Sequence, residues 1–295
     1  MADGEQIDLK PWIGKSETIS DVATATPVAA LSATLDRDPV RPAPGTPLPP
    51  LWHWLYFLPL HRQSEIGPDG HAKRGGFLPP VPLPRRMWAA SQFAFHAPLR
   101  VGDALTRVST IEDVSEKTGR TGRLVFVKVR HEIRRGDERD AALVEHHDIV
   151  YRDAPASGDL APPPKMAPSA AAWERKWVPD DVLLFRYSAL TFNGHRIHYD
   201  RRYATEVEGY PGLVVHGPLL ATLLLDLVHR EQPEVEIARY EFRATRPVFD
   251  LQPFEVCGEP QPDGATLRLW VRDHEGALAM DATAHVVDGN GTKGR

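Results

Sequence analysis

Alternation of apolar and polar positions dominates the chain. Between Leu124 and Ile133, Val125, Val127 and Val129 fall on one side and Lys128 and Arg130 on the other, the period of a half-buried strand. Strand-like runs of this kind recur at 92–97, 104–114 and 142–151, and again at 239–244, 253–260, 266–273 and 277–287. Turn-forming residues separate them, as at 98–103, 119–122 and Pro262-Asp263-Gly264. Helical spacing is expected at 26–35 and 216–230. The run from Leu219 to Val228 is interrupted by Thr222 and Asp226, so it suits a buried helix and is too short to span a membrane. The pattern predicts one unit twice: a helix, then an antiparallel meander. Phe93-Ala94-Phe95 in the first half corresponds to Tyr240-Glu241-Phe242 in the second.

Residues 155–172 are rich in Ala, Pro and Ser and include Pro162-Pro163-Pro164, which is linker composition. The expected organisation is therefore an N-terminal half at 1–154, a linker at 155–172 and a C-terminal half at 173–295. The aromatic run Trp52-His53-Trp54-Leu55-Tyr56-Phe57 reads as core or interface.

Composition narrows the function classes. The net charge of −5 argues against nucleic acid as a partner, and the polar start from Met1 to Lys10 has no apolar signal core. One cysteine, Cys257, excludes an internal disulfide and a multi-cysteine metal site, and it fits a cytoplasmic protein.

Chemistry concentrates in Thr191-Phe192-Asn193-Gly194-His195-Arg196-Ile197-His198-Tyr199-Asp200, followed by His216-Gly217-Pro218 at a helix start. His195 and His198 are three apart, and histidine is readily tuned into a general base or acid near neutrality. Loop ordering is an equal reading for His195, and function is the stronger one for His198. A metal site is disfavoured because no third ligand shows matching spacing. The amide of Asn193 can hold a water or a substrate oxygen; Asn193-Gly194 also reads as a plain turn. Asp200 suits capping. Gly217 would present an unpaired N–H where the helix dipole is positive, a place for a developing oxyanion. Its structural alternative is a helix start that allows close packing. Arg85, Arg86, Arg243 and Arg246 are candidates for a carboxylate or phosphate of a ligand.

The segment Ser188 to Asp200, with His216-Gly217, resembles the hydratase motif of the MaoC-like hot-dog family. Its Phe-Asn-x-His-x-Ile-His form is similar to the branch of 3-hydroxyacyl thioester dehydratases and mesaconyl-C4-CoA hydratases. Trp52 to Pro59 and Gly75 to Trp88 resemble the N-terminal half of the latter. The resemblance implies an α+β double hot-dog, two antiparallel sheets each wrapped around a central helix. It also implies a hydro-lyase that acts on an enoyl-CoA without a metal or redox cofactor. His198 then corresponds to the motif histidine and Gly217 to the oxyanion glycine, with Asn193 where the motif usually has aspartate. Mesaconyl-C4-CoA is the expected substrate. Itaconyl-CoA, a 3-hydroxyacyl thioester of fatty-acid metabolism and non-catalytic acyl-CoA binding are the alternatives. Because two halves can pair within one chain, a homodimer is optional.

Overall fold

The computed structural model describes residues 7–119, 122–153 and 163–287. The middle of the turn expected at 119–122 and residues 155–162 of the expected linker lie outside these. The first half contributes strands β1 (Ser16–Val22), β2 (Arg85–Phe95), β3 (Ala104–Gly119), β4 (Gly122–Arg135) and β5 (Leu143–Arg152), with helix α1 (Ala25–Thr34). The second contributes β6 (Trp173–Trp177), α2 (Asp181–Leu190), α3 (Gly217–Glu231), β7 (Ile237–Ala244), β8 (Phe254–Pro260), β9 (Thr266–Arg272) and β10 (Leu278–Val286). All ten strands join one antiparallel sheet in the order β1-β3-β4-β5-β2-β7-β10-β9-β8-β6.

That order reads as two five-stranded halves placed back to back. The seam is β2 against β7, with Ala90 opposite Arg243 and Ala94 opposite Arg239, so the two strands matched in sequence are the ones that pair. The double hot-dog is thus closed within one chain. Joining the inner strands leaves only β1 and β6 as outer edges. Both are short and carry charged residues, among them Glu17 and Asp21 on one and Glu174, Arg175 and Lys176 on the other, which discourages further strand addition.

The fifteen-residue helix α3 is the central helix of the second half. Pro218 is accommodated in its first turn, where no intrahelical N–H is needed. Leu219, Leu220, Leu223, Leu224, Leu227 and Val228 are buried in the largest core cluster. Asp226, within the same helix, is buried against two guanidinium groups, Arg37 at 2.5 Å and Arg230 at 2.7 Å. The paired charges make its burial tolerable. Leu224 has no exposure. Leu224→Ala is expected to lower the unfolding free energy by about 2–5 kcal/mol, the range for a leucine cavity in a rigid core. Urea titration measures this, and a loss below about 1 kcal/mol would mean that the helix is not packed as described.

The first half differs. Its helix α1 follows β1 as α2 follows β6, but residues 36–84, between α1 and β2, form no long helix. Pro39, Pro42, Pro44, Pro47, Pro49 and Pro50 account for this, since each removes a backbone donor and fixes φ. Short 3-10 turns at Trp52–Leu55 and Gln63–Glu65 stand there instead. Trp52, Leu55, Tyr56 and Phe57 are buried in the main core, so the aromatic run is core.

Two apolar clusters meet the inner face of the first half, one holding Phe93, Leu105, Ile133 and Leu143, the other Ile111, Val125, Val127, Val129 and Tyr151. Between them, at the intervening inward positions of β3, β4 and β5, stand Arg107, Ser109, His131, Glu145 and His147. None of the described helices is long and apolar enough to cross a membrane.

Candidate active site

The site begins where α2 ends. Phe192 adopts φ 50°, the left-handed region, and the Asn193 N–H donates to Ser188 O at 2.8 Å, closing the helix. Asn193 Oδ1 accepts from the His195 N–H at 3.0 Å, so the amide oxygen is committed to an Asx turn. A 3-10 turn at Arg196–His198 then carries His198 inward.

The His198 Nδ1 lies 2.7 Å from Val214 O. A carbonyl can only accept, so Nδ1 carries the hydrogen and Nε2 is left as a free acceptor. Burial lowers the His198 pKa to about 4, against the stabilising bond to Val214, with a further push from His71. At neutral pH the ring is therefore uncharged and basic at Nε2. His216 stacks on it, with centroids 3.8 Å apart and planes at 18°. The His216 Nε2 lies 2.8 Å from Ser188 Oγ, and its buried Nδ1 has no hydrogen-bond partner among the described residues. Burial lowers its pKa as well, so the stacked pair is neutral. Gly217 follows as the first residue of α3, and a Cβ built on it meets nothing within 4 Å. The backbone N–H of this first turn has no intrahelical acceptor, and it sits beside open space large enough for a ligand atom.

His195 sets its ring perpendicular to His198 at 5.4 Å and 4.0 Å from His71. His71 belongs to the first half. Its Nδ1 lies 2.9 Å from Asp69 Oδ2, and the loop that carries both rests on the motif segment. The Arg196 N–H donates to Asp69 O, and Arg196 Nη1 to Pro68 O, each at 2.9 Å. Gly70 has φ +89°, and a Cβ there would overlap the Gly194 carbonyl, so only glycine permits this approach of the two backbones. Burial lowers His71 to about 4 and His195 to about 2, with neighbouring positive charge adding to both. For Asp69 burial acts upward, but the hydrogen bond and charge of His71 outweigh it and hold the carboxyl well below its ordinary range. The ligand atoms of Asp69, His71 and His195 lie within 4.8 Å of one another, close enough to converge on a cation. Asp69 Oδ2 and His71 Nδ1 are already joined by their own hydrogen bond.

The other sequence candidates divide. The charge of Arg86 helps to lower the pKa values of His71, His195 and His147, so it acts electrostatically on both the motif segment and the inner face of the first half. Arg85 turns to Glu208, donating to its backbone O at 2.6 Å, and stacks over Tyr210. Arg246 pairs with Asp273 at 3.1 Å, away from the histidine segment. Asp200 accepts from Arg196 at 2.7 Å and from the Tyr203 N–H at 3.0 Å, so it supports the loop.

The polar belt of the first half has its own connectivity. Glu145 accepts from His53 at 3.0 Å and from Trp54 Nε1 at 3.3 Å. Burial pushes this carboxyl up, but His53, His131 and His147 carry it down to about 2. His131 is 2.8 Å from Ser109 Oγ, and His147 stacks on Trp88 at 3.9 Å. Asp69, His71 and this belt were not singled out from the sequence, and His216 was read there only as the residue before Gly217. Gly67-Pro68-Asp69-Gly70 reads only as a turn, and no spacing links it to a segment more than a hundred residues away.

Comparison with known proteins accords with this geometry. The family model for type 2 hydroxyacyl-thioester dehydratases matches residues 51–250, a stretch that includes both the Asp69 loop and the histidine segment. The chain belongs to this family. Among its relatives is the mesaconyl-C(4)-CoA hydratase of Chloroflexus aurantiacus, 44% identical over 281 residues that cover 95% of this chain and 98% of that one. A mitochondrial type 2 dehydratase of Schizosaccharomyces pombe is 29% identical over 270 residues, covering 81% of this chain and 88% of the relative. A solved Mycobacterium tuberculosis protein described as a double hotdog superimposes with a TM-score of 0.57 at 15% identity, covering 93% and 96% of the two chains. The last of these bears on fold only. The matched region runs from the first half across the β2–β7 seam into the second.

Proposed function

We propose that the protein is a hydro-lyase that adds water to the double bond of a short, branched, carboxylated enoyl-CoA, mesaconyl-C4-CoA being converted to citramalyl-CoA. The observation that carries this reading is the free His198 Nε2 on a ring stacked 3.8 Å from His216, the residue that immediately precedes the open N-terminus of α3 at Gly217. The mesaconyl-C(4)-CoA hydratase relative supports the choice of substrate. His198 Nε2 takes a proton from water as the water oxygen bonds to Cβ. The electrons of the double bond move toward the thioester oxygen, which the Gly217 N–H stabilises, and a proton is delivered to Cα. Asn193 keeps its NH2 group for orienting the water while its oxygen holds the turn. The reaction as drawn needs water alone, with no metal or redox cofactor. A cytoplasmic location accords with the single, buried, unpaired Cys257.

The polar belt favours a short polar acyl group over a fatty chain. Laying an alkyl chain along Arg107, His131, Glu145 and His147 would strip these groups of solvent without offering hydrogen bonds in return. Arg86, whose charge acts on both that belt and the histidines, is the group for the acyl carboxylate.

The test is hydration of a panel of mesaconyl-C4-CoA, itaconyl-CoA and crotonyl-CoA, followed by loss of the enoyl-thioester absorbance for the two conjugated substrates and by chromatography of the product for itaconyl-CoA. Arg86→Gln is expected to lower kcat/KM for mesaconyl-C4-CoA by about 10–100-fold, the worth of a charge-assisted hydrogen bond. Crotonyl-CoA, which has no free carboxylate, is expected to react equally with both enzymes. Equal losses on the two substrates would remove Arg86 from carboxylate recognition. A wild-type protein inert toward the whole panel would end the hydratase reading.

A further inference from the structure

We propose that Asp69 and His71 form the second proton-handling unit of the site, supplied by the first half of the chain in place of the carboxylate that Asn193 lacks. The proposal rests on the hydratase reading above. An amide cannot exchange a proton at neutral pH, and Asn193 Oδ1 is already committed to the His195 N–H. One histidine can take a proton from water, yet Cα must also receive one. Asp69–His71 stands at the right place. The carboxylate fixes the hydrogen on Nδ1 at 2.9 Å and leaves His71 Nε2 as a free acceptor.

Three features tie the pair to the site rather than to loop stability alone. Its ring lies 4.0 Å from that of His195. Its loop is held to the motif segment by both Arg196 bonds. Gly70 and Gly194 meet backbone to backbone, so the loop is docked as closely as a chain allows. Asp69 has no other cationic partner among the described residues, so its negative charge is available for an imidazolium on His71.

The step balances within the histidine cluster. Water gives one proton to His198 Nε2 as its oxygen bonds to Cβ. The π pair of the double bond passes to Cα and the thioester oxygen. The proton moves from His198 through His195 to His71 Nε2, with Asp69 carrying the countercharge, and His71 delivers it to Cα. One water enters, its elements stay on the product, His198 and His71 end as they began, and His195 regains its tautomer by proton exchange with solvent before the next turnover. His71 is the catalytic residue here, and Asp69 is a positioning residue that acts through it.

The test uses the full chain with Asp69→Asn and His71→Gln. It measures kcat and KM on mesaconyl-C4-CoA together with deuterium incorporation at Cα of citramalyl-CoA in deuterated water. Both variants are expected to lower kcat by about 10²-fold with KM within about twofold. Incorporation at Cα is expected to fall in parallel, and the acid limb of the kcat profile to move in Asp69→Asn. Circular dichroism reports folding separately from rate, and Asp69→Asn keeps the shape of the side chain. Wild-type kcat in either variant, or a change in KM alone, overturns the dyad and leaves the hydratase reading standing. So does a wild-type enzyme that loses activity in EDTA and regains it with zinc, because the trio would then hold a cation. A wild-type protein that hydrates no enoyl-CoA overturns both.

Discussion

Replacing His198 with alanine is expected to reduce kcat for enoyl-CoA hydration by about 10³-fold. The figure is the middle of the range for a positioned general base. His216 has its Nε2 against Ser188, Asn193 cannot take up a proton at neutral pH, and His195 and His71 stand farther from the water position that His198 serves. Residual activity would come from the Gly217 N–H and from substrate positioning, as when a base is removed from other acyl-transfer sites. The same substitution leaves the Val214 carbonyl without its donor and His216 without its stacking partner. Stability should therefore drop by about 1–3 kcal/mol, too little to unfold a chain of ordinary stability. Rates need to be compared at a temperature where circular dichroism shows both proteins folded. An alanine variant that retains a third or more of the wild-type kcat would remove His198 from the chemistry.

Stability itself should collapse in mild acid. Burial holds His71, His131 and His198 at about 4, His147 at about 3 and His195 at about 2, all below the ordinary histidine value near 6.5. The folded protein keeps these rings neutral while the unfolded chain protonates them. Between pH 6.5 and 4 the unfolded state binds more protons, so stability rises with pH across that window and is lost as pH falls through it. It is fully present only above about 6.5. At about 1.4 kcal/mol per unit, two independent histidines shifted by about two units each already account for about 5 kcal/mol. Thermal unfolding at pH 4.5 is then expected roughly 10 °C or more below that at pH 7. Asp69 and Glu145, whose folded carboxyls are held low, add to the loss only below about pH 4. A flat midpoint from pH 7 to 4.5 would show that the histidines are solvated.

The repeat was legible because its strands are half buried. Val125, Val127 and Val129 in β4 have almost no exposure, so the alternation in sequence is the alternation of the sheet. Strand β1 gave no such signal. It is an edge with no fully buried residue, and its alternation of exposed and intermediate positions is not written in hydrophobic side chains. Helix α2 was hidden for a related reason. Val182 and Phe185 face outward, more than 60% exposed, and blur the apolar stripe. Of the site, the local part was readable: the histidine segment lies within ten residues, and the helix start follows soon after. What the sequence did not disclose was long-range. Asp69 and His71 reach His195 only because the loop between the Gln63–Glu65 turn and β2 folds across the seam. Arg85 and Arg86, adjacent in sequence, also part company, one toward Glu208 and the other toward the histidines.

The seam between β2 and β7 has a consequence for how the enzyme can vary. In an assembly of identical single-unit chains, every substitution appears at each symmetry-related position, so two sites change together. Here the related positions are encoded separately. The first half was free to give up its long helix, to take prolines where that helix stood, and to lend a loop to the other half. The inner face of the first half can then be shaped for the acyl group apart from the histidine segment of the second half and the Asp69–His71 loop. Changes of substrate should therefore accumulate on the strands β3, β4 and β5, while the 67–71 loop and 188–217 stay devoted to the reaction.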